Sequence, residues 1–90
     1  MKLDDARWEE ICVLLPQLPT SYSSHRWYPA VLPGDLKVEI RKTSGRGRAF
    51  GDRFLWLRRA VPLQKADGTW TANFRVWRIN LCTRDAREIS

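Results

Sequence analysis

The chain is poor in the residues that build catalytic and metal sites. It has two cysteines, Cys12 and Cys82, and one histidine, His25. The cysteines stand far apart with no Cys-x-x-Cys spacing, so neither a zinc site nor a disulfide framework is expected. Both read as buried thiols in a reducing compartment, a single Cys12–Cys82 bridge being the alternative. His25 lies beside Ser23 and Ser24, but no spacing supplies the carboxylate and aimed nucleophile of a triad. Gly45, Gly47 and Gly51 have the wrong spacing for a nucleotide-binding loop and lead toward a strand, not a helix. No carboxylate pair stands at a recognisable catalytic spacing. The expectation is a protein without catalytic residues, metal or cofactor.

Long apolar runs are missing too. Nothing approaches the ~20 residues of a membrane-spanning helix. Residues 1–10 alternate charge with polarity, so no secretory leader is expected. A cytoplasmic protein with no membrane partner is the expectation.

Acid is scarce relative to base. Ten Asp and Glu face sixteen Lys and Arg, a formal charge of +6. Arginine dominates, with twelve Arg against four Lys. Its planar fork matches phosphate and carboxylate and stacks on aromatic rings. Such a balance favours a polyanionic partner: DNA or RNA, a nucleoprotein, or an acidic protein face.

What is present in quantity is aromatic: five Trp, three Phe and two Tyr. A chain of 90 residues reads as one domain and buries only roughly 60–65% of its unfolded surface. Large rings must then supply much of the core, and most tryptophans are expected inside.

Residues 4–15 read as an amphipathic helix, capped by Asp4 or Asp5 and striped by Trp8, Ile11, Cys12 and Leu15. Pro16 is expected to end it. Residues 16–34 carry Pro16, Pro19, Pro29, Pro33 and Gly34 among serines, which is loop chemistry. Residues 35–81 read as antiparallel strands. Leu36, Val38 and Ile40 alternate with Lys37, Glu39 and Arg41. A second strand spans Phe50 to Leu63, with Phe54, Trp56 and Ala60 on one face and Leu55, Leu57 and Val61 on the other. Lys65-Ala66-Asp67-Gly68 reads as a hairpin turn. In the third strand the apolar phase shifts from Trp70, Ala72, Phe74 and Val76 to Trp77, Ile79 and Leu81. That shift predicts a β-bulge near Val76. Residues 83–90 read as a short helical turn capped by Thr83, or a frayed tail. The sum is α+β: an N-terminal helix on a small curved antiparallel sheet of three to four strands.

The candidate site is basic. Half the cations fall between Lys37 and Arg59, opposed only by Glu39 and Asp52. Within this stretch Arg41, Lys42, Arg46, Arg48, Arg53 and Arg58 are the candidate contacts, with Arg75 and Arg78 extending the patch. Arg46 and Arg48 flank Gly47, where a backbone without a Cβ can approach a phosphate. Trp27, in the loop Arg26-Trp27-Tyr28, is the candidate stacking residue. Phosphate contacts of this kind give salt-dependent affinity without base specificity.

Three pieces carry a local resemblance. Asp5 to Pro16, then Gly45-Arg-Gly-Arg48 with Asp52-Arg53, and Trp70-Thr71 with Phe74-Arg75 and Trp77-Arg78, resemble the N-terminal DNA-binding region of DDE insertion-sequence transposases. The segment from Pro16 to Gly45 is longer than in that family, and the one from Arg48 to Leu57 shorter. The resemblance implies a DNA-binding helix over residues 70–79, presenting Arg75 and Arg78. The Asp67-Gly68 turn and the β-rich residues after it predict a strand there instead.

The leading expectation is a binding protein whose basic sheet-and-loop face engages nucleic acid or a nucleoprotein. The alternative is a small phage or mobile-element inhibitor, anti-CRISPR-like, that docks on a host protein complex. A homodimer covering exposed tryptophans is a third reading.

Overall fold

The computed structural model describes residues 1–44 and 53–89. In order, its elements are α1 (Asp5–Cys12), a 3-10 turn (Leu15–Gln17), β1 (Tyr28–Leu32), β2 (Leu36–Ser44), β3 (Arg53–Gln64), β4 (Trp70–Asn80) and β5 (Ala86–Ile89). The strands form one antiparallel sheet in which each neighbours the next in sequence. The α+β class stands, with five strands among the described residues rather than three or four.

Helix α1 begins where Asp4 accepts a 2.8 Å hydrogen bond from the Arg7 amide, satisfying one of the first-turn donors. It ends at Cys12, earlier than the apolar stripe suggests. The chain then tightens into the 3-10 turn, which carries Pro16 near its start, where a missing N–H leaves nothing unsatisfied. This tightening turns Leu14, which lies off the expected stripe, fully inward.

The core is one-sided. Leu14 joins Ala30, Val38, Ile40, Leu55, Leu57, Ile79 and Ala86, and Leu3, Trp8, Ile11, Leu15 and Leu18 pack against this cluster. The strand contributors alternate along β2 and β3, as period-2 patterning requires. Leu14, Ile40 and Leu55 are completely buried.

Four expectations are corrected. First, β1 runs through the proline-rich segment taken as loop. Tyr28, Ala30 and Leu32 alternate inward. Pro29 is tolerated because β1 is an edge strand, where a lost N–H breaks no ladder bond. The outward edge of Val31 is closed by Gln17, whose amide accepts from the Val31 N–H at 2.8 Å and donates to its carbonyl at 2.9 Å. Gln17 thereby supplies the bonds of a missing neighbour strand.

Second, residues 86–89 are a strand, not a helical turn. The Asn80 side chain accepts from the amides of Cys82 and Thr83 and bends the chain back, and Ala86–Ile89 pairs with Val76–Ile79. Residues 1–3 bind the outer edge of this return: Leu3 N–H donates to Arg84 O, and Ala86 N–H to Met1 O.

Third, there is no bulge near Val76. Pairing runs unbroken from Phe54↔Asn80 to Gln64↔Trp70. The apolar phase changes because the cover changes. Near Ile79 the helix buries one face; beyond Val76 no helix or third strand lies over β4, and its rings point to the other face.

Fourth, no tryptophan is fully buried. Trp8, Trp27, Trp56 and Trp77 are half-buried and Trp70 is exposed. Of the two thiols, Cys12 is half-buried and Cys82 exposed, and no disulfide joins them. Among the described residues no helix is long and apolar enough to cross a membrane.

The β3–β4 hairpin outgrows the rest of the sheet. Past Arg58 and Val76 its strands pair only with each other. This two-stranded arm ends in the turn read from sequence. Asp67 accepts from the amide and hydroxyl of Thr69, and Gly68 adopts φ 88°, a region costly for other residues. The arm helps make the molecule elongated, 48 × 29 × 29 Å.

Candidate functional site

Strand parity sorts the basic side chains carried by the strands onto one of two faces. Val38, Ile40, Leu55, Leu57 and Ile79 point to the helix, so Lys37, Glu39, Arg41, Phe54, Trp56, Arg58, Phe74, Arg78 and Arg87 occupy the opposite, helix-free face. Cross-strand register aligns them in rows. One row reads Arg41, Trp56, Arg78, Arg87; the next reads Glu39, Arg58, Val76, Ile89.

Cations and rings interleave on this face. The Arg41 guanidinium lies 5.3 Å from Trp27 and 5.3 Å from Trp56. Arg58 lies 4.4 Å from Trp27 and 4.6 Å from Phe74. Arg78 lies 4.9 Å from Phe54 and 5.8 Å from Trp56. Each such contact contributes about 0.5–1 kcal/mol at an exposed site and restricts a side chain that otherwise has many rotamers. Trp56 is itself fixed by a 2.9 Å bond from its indole N–H to Thr43.

Two carboxylates border the face: Glu39, and Asp85, which lines a small pocket with Phe54, Arg78 and Arg87 and pairs with the Met1 amino group at 3.1 Å. Glu39 grips Arg58 through two bonds of 3.1 and 3.3 Å. Among the described residues, Arg41, Arg78 and Arg87 form no ion pair. The Nε of Arg41 is covered by its surroundings without a hydrogen-bond partner. Arg78 and Arg87 are directly opposite across β4 and β5, and like charges so placed oppose pairing.

The candidate residues named from sequence divide accordingly. Arg41, Arg58, Arg78 and Trp27 come together on the helix-free face. Lys42 and Arg53 have the opposite parity, with Lys42 5.8 Å from the Tyr22 ring. Arg75 is likewise on the helix side, bound to Glu88 at 2.7 and 3.0 Å. The pair holds the Glu88 carboxyl below its ordinary range, chiefly through the hydrogen bond from Arg75, and raises the Arg75 guanidinium for the same reason. Arg46 and Arg48, with the Gly47 loop, lie outside the described residues. Arg87, Phe54 and Phe74 were not singled out as contacts from sequence. Parity alone could have found the last two; Arg87 needed the fifth strand.

Other features are less concentrated. A groove of about 300 Å³ between α1 and the sheet is lined by Leu3, Ile11, Leu36, Val38, Leu57 and Trp77 among others. His25 is exposed, its amide bonded to Ser23 Oγ at 3.2 Å. Among the described residues no cluster of three or more His, Cys, Asp or Glu is placed to hold a metal.

No family model, no curated protein and no solved structure matches this chain. The helix that the transposase-like segments imply over residues 70–79 is replaced by strand β4, so that resemblance does not extend to the fold.

Proposed function

We propose that the protein is a non-catalytic nucleic-acid-binding module that holds phosphates on the helix-free face of its sheet. The observation that carries this reading is the juxtaposition of Arg78 and Arg87, neither of which forms an ion pair among the described residues, the nearby Asp85 being held by the Met1 amino group instead. A face arranged for stability or solubility would set an acid opposite one of them. A polyanion laid across the face turns that repulsion into attraction.

The ring contacts support the same reading. Guanidiniums stacked on indoles are oriented before any partner arrives, which lowers the entropy lost on binding. Carboxylates, which would compete with phosphate for the same donors, are few. Arg75 is excluded from the contact set because Glu88 already occupies it.

The test is fluorescence anisotropy with labelled DNA and RNA oligonucleotides across a salt series. Three or four phosphate contacts give a slope of log K against log salt of about −2 to −4. Absence of binding at low salt refutes the proposal. A lysate partner retained after nuclease treatment, with no affinity for bare oligonucleotides, would favour instead the phage-type inhibitor that docks on a host complex.

A further inference from the structure

Resting on that reading, we infer that the occupant is a single strand, with phosphates on the arginines of the sheet body and bases stacked on the β3–β4 arm. The arm presents Trp70, 68% exposed, and Phe74, 52% exposed, on the same face as Arg58 and Arg78. Opposite them across the hairpin stand Gln64 and Ala60, with the Pro62–Ala72 pair between. Small and flat neighbours leave the ring of Trp70 accessible. From Trp70 to Asn80 the strand runs about 33 Å, so rings and cations form one continuous track.

Two arguments favour a single strand over a duplex. Five strands span about 19 Å at their usual spacing, wider than the ~12 Å major groove, so the cationic body does not enter a groove. A duplex also keeps its base faces stacked internally, whereas a single strand can lay them on exposed rings. The division of labour follows from geometry. In the body, arginines already lie against Trp27, Trp56 and Phe54, and Arg58 reaches Phe74 at the base of the arm, so those rings serve as cushions for cations and Phe74 offers a base only its outer side. Trp70 has no such cover among the contacts of the described residues.

The experiment compares single-stranded DNA and RNA of about twelve nucleotides with duplexes of equal length, for the wild type and a W70A/F74A variant. Both rings are exposed, and circular dichroism with thermal melting verifies that the variant folds. The expected result is tighter binding to single strands, and a loss of about tenfold or more in the variant for single strands only. The salt slope is read in W70A alone, whose ring contacts no arginine among the described residues, and should stay unchanged; Trp fluorescence should be quenched by single strands in the wild type. Equal affinity for duplex and single strand, with no effect of W70A/F74A, overturns the inference but leaves phosphate binding standing. No binding to any oligonucleotide removes both. A wild-type dimer in sedimentation that W70A/F74A dissolves would assign the arm to a second copy of the chain and also overturn the inference.

Discussion

Individual side chains here do more than one task, and substitutions separate the tasks. Leu55 is fully buried among Ile40, Leu57 and Ile79. Leu55→Ala should cost about 3 kcal/mol, within the 2–5 kcal/mol of buried leucine truncations. In a domain whose total stability is about 5–10 kcal/mol, that loss is plain in urea unfolding. Arg87 gives the opposite pattern. It is exposed and faces another arginine, so Arg87→Ala should leave stability unchanged or slightly raised. The same change should lower the salt slope for nucleic acid by about 1. Arg41→Ala differs from both: it removes contact with two indoles and should cost about 1–2 kcal/mol while weakening binding.

At the level of elements, the sheet edges and the turn govern behaviour. Gln17 seals the outer edge of β1 with one accepted and two donated bonds, the second donation going to Val13 O. Gln17→Glu keeps the acceptor but loses the donors; it should destabilise by about 1 kcal/mol and raise aggregation measured by light scattering. The ends of β4 and β5 respond to acid. Glu88 has a folded pKa below its unfolded value, so its contribution is present above about pH 4 and is lost as pH falls through the lowered value. Asp67 behaves alike, its carboxyl lowered by bonds from Thr69. A Glu88→Gln variant should therefore show a flatter loss of melting temperature on the acid side. Much of this level was legible in the residues. Asp4 marked the helix start, and alternation at Val38–Ile40 and Phe54–Leu57 marked two strands and their faces. β1 was hidden because Pro29 reads as a breaker until the strand is known to lie at an edge. β5 was hidden because its four residues carry no clear alternation and its partner is chosen by the Asn80 bend. The supposed bulge near Val76 arose because a change of covering layer produces the same pattern as a change of register. For the site, Arg41, Arg58, Arg78 and Trp27 were legible as a basic, aromatic group. Lys42, Arg53 and Arg75 were grouped with them because nearness in sequence is not nearness on one side of a sheet.

The whole molecule is a compact body with a projecting ribbon, and the two should be separable. Core residues Leu55, Leu57 and Ile79 precede or follow the arm. Replacing residues 61–73 with a short turn should keep a cooperative unfolding transition and the body's phosphate contacts, while removing single-strand preference. Urea unfolding and the oligonucleotide series read the two effects independently. The meander also governs how the chain assembles. Because every strand pairs with its sequence neighbour, no long loop must close before the first hairpins form. Rapid folding for a β-rich chain is the consequence, with β3–β4 able to zip from the Gly68 turn outward. One link is different in kind: Leu3 N–H bonds Arg84 O and joins segments far apart in the sequence. Bonds at a sheet edge near a terminus open at low free energy, so amide exchange at Leu3 and Ala86 should outpace exchange at Ile40 and Leu55.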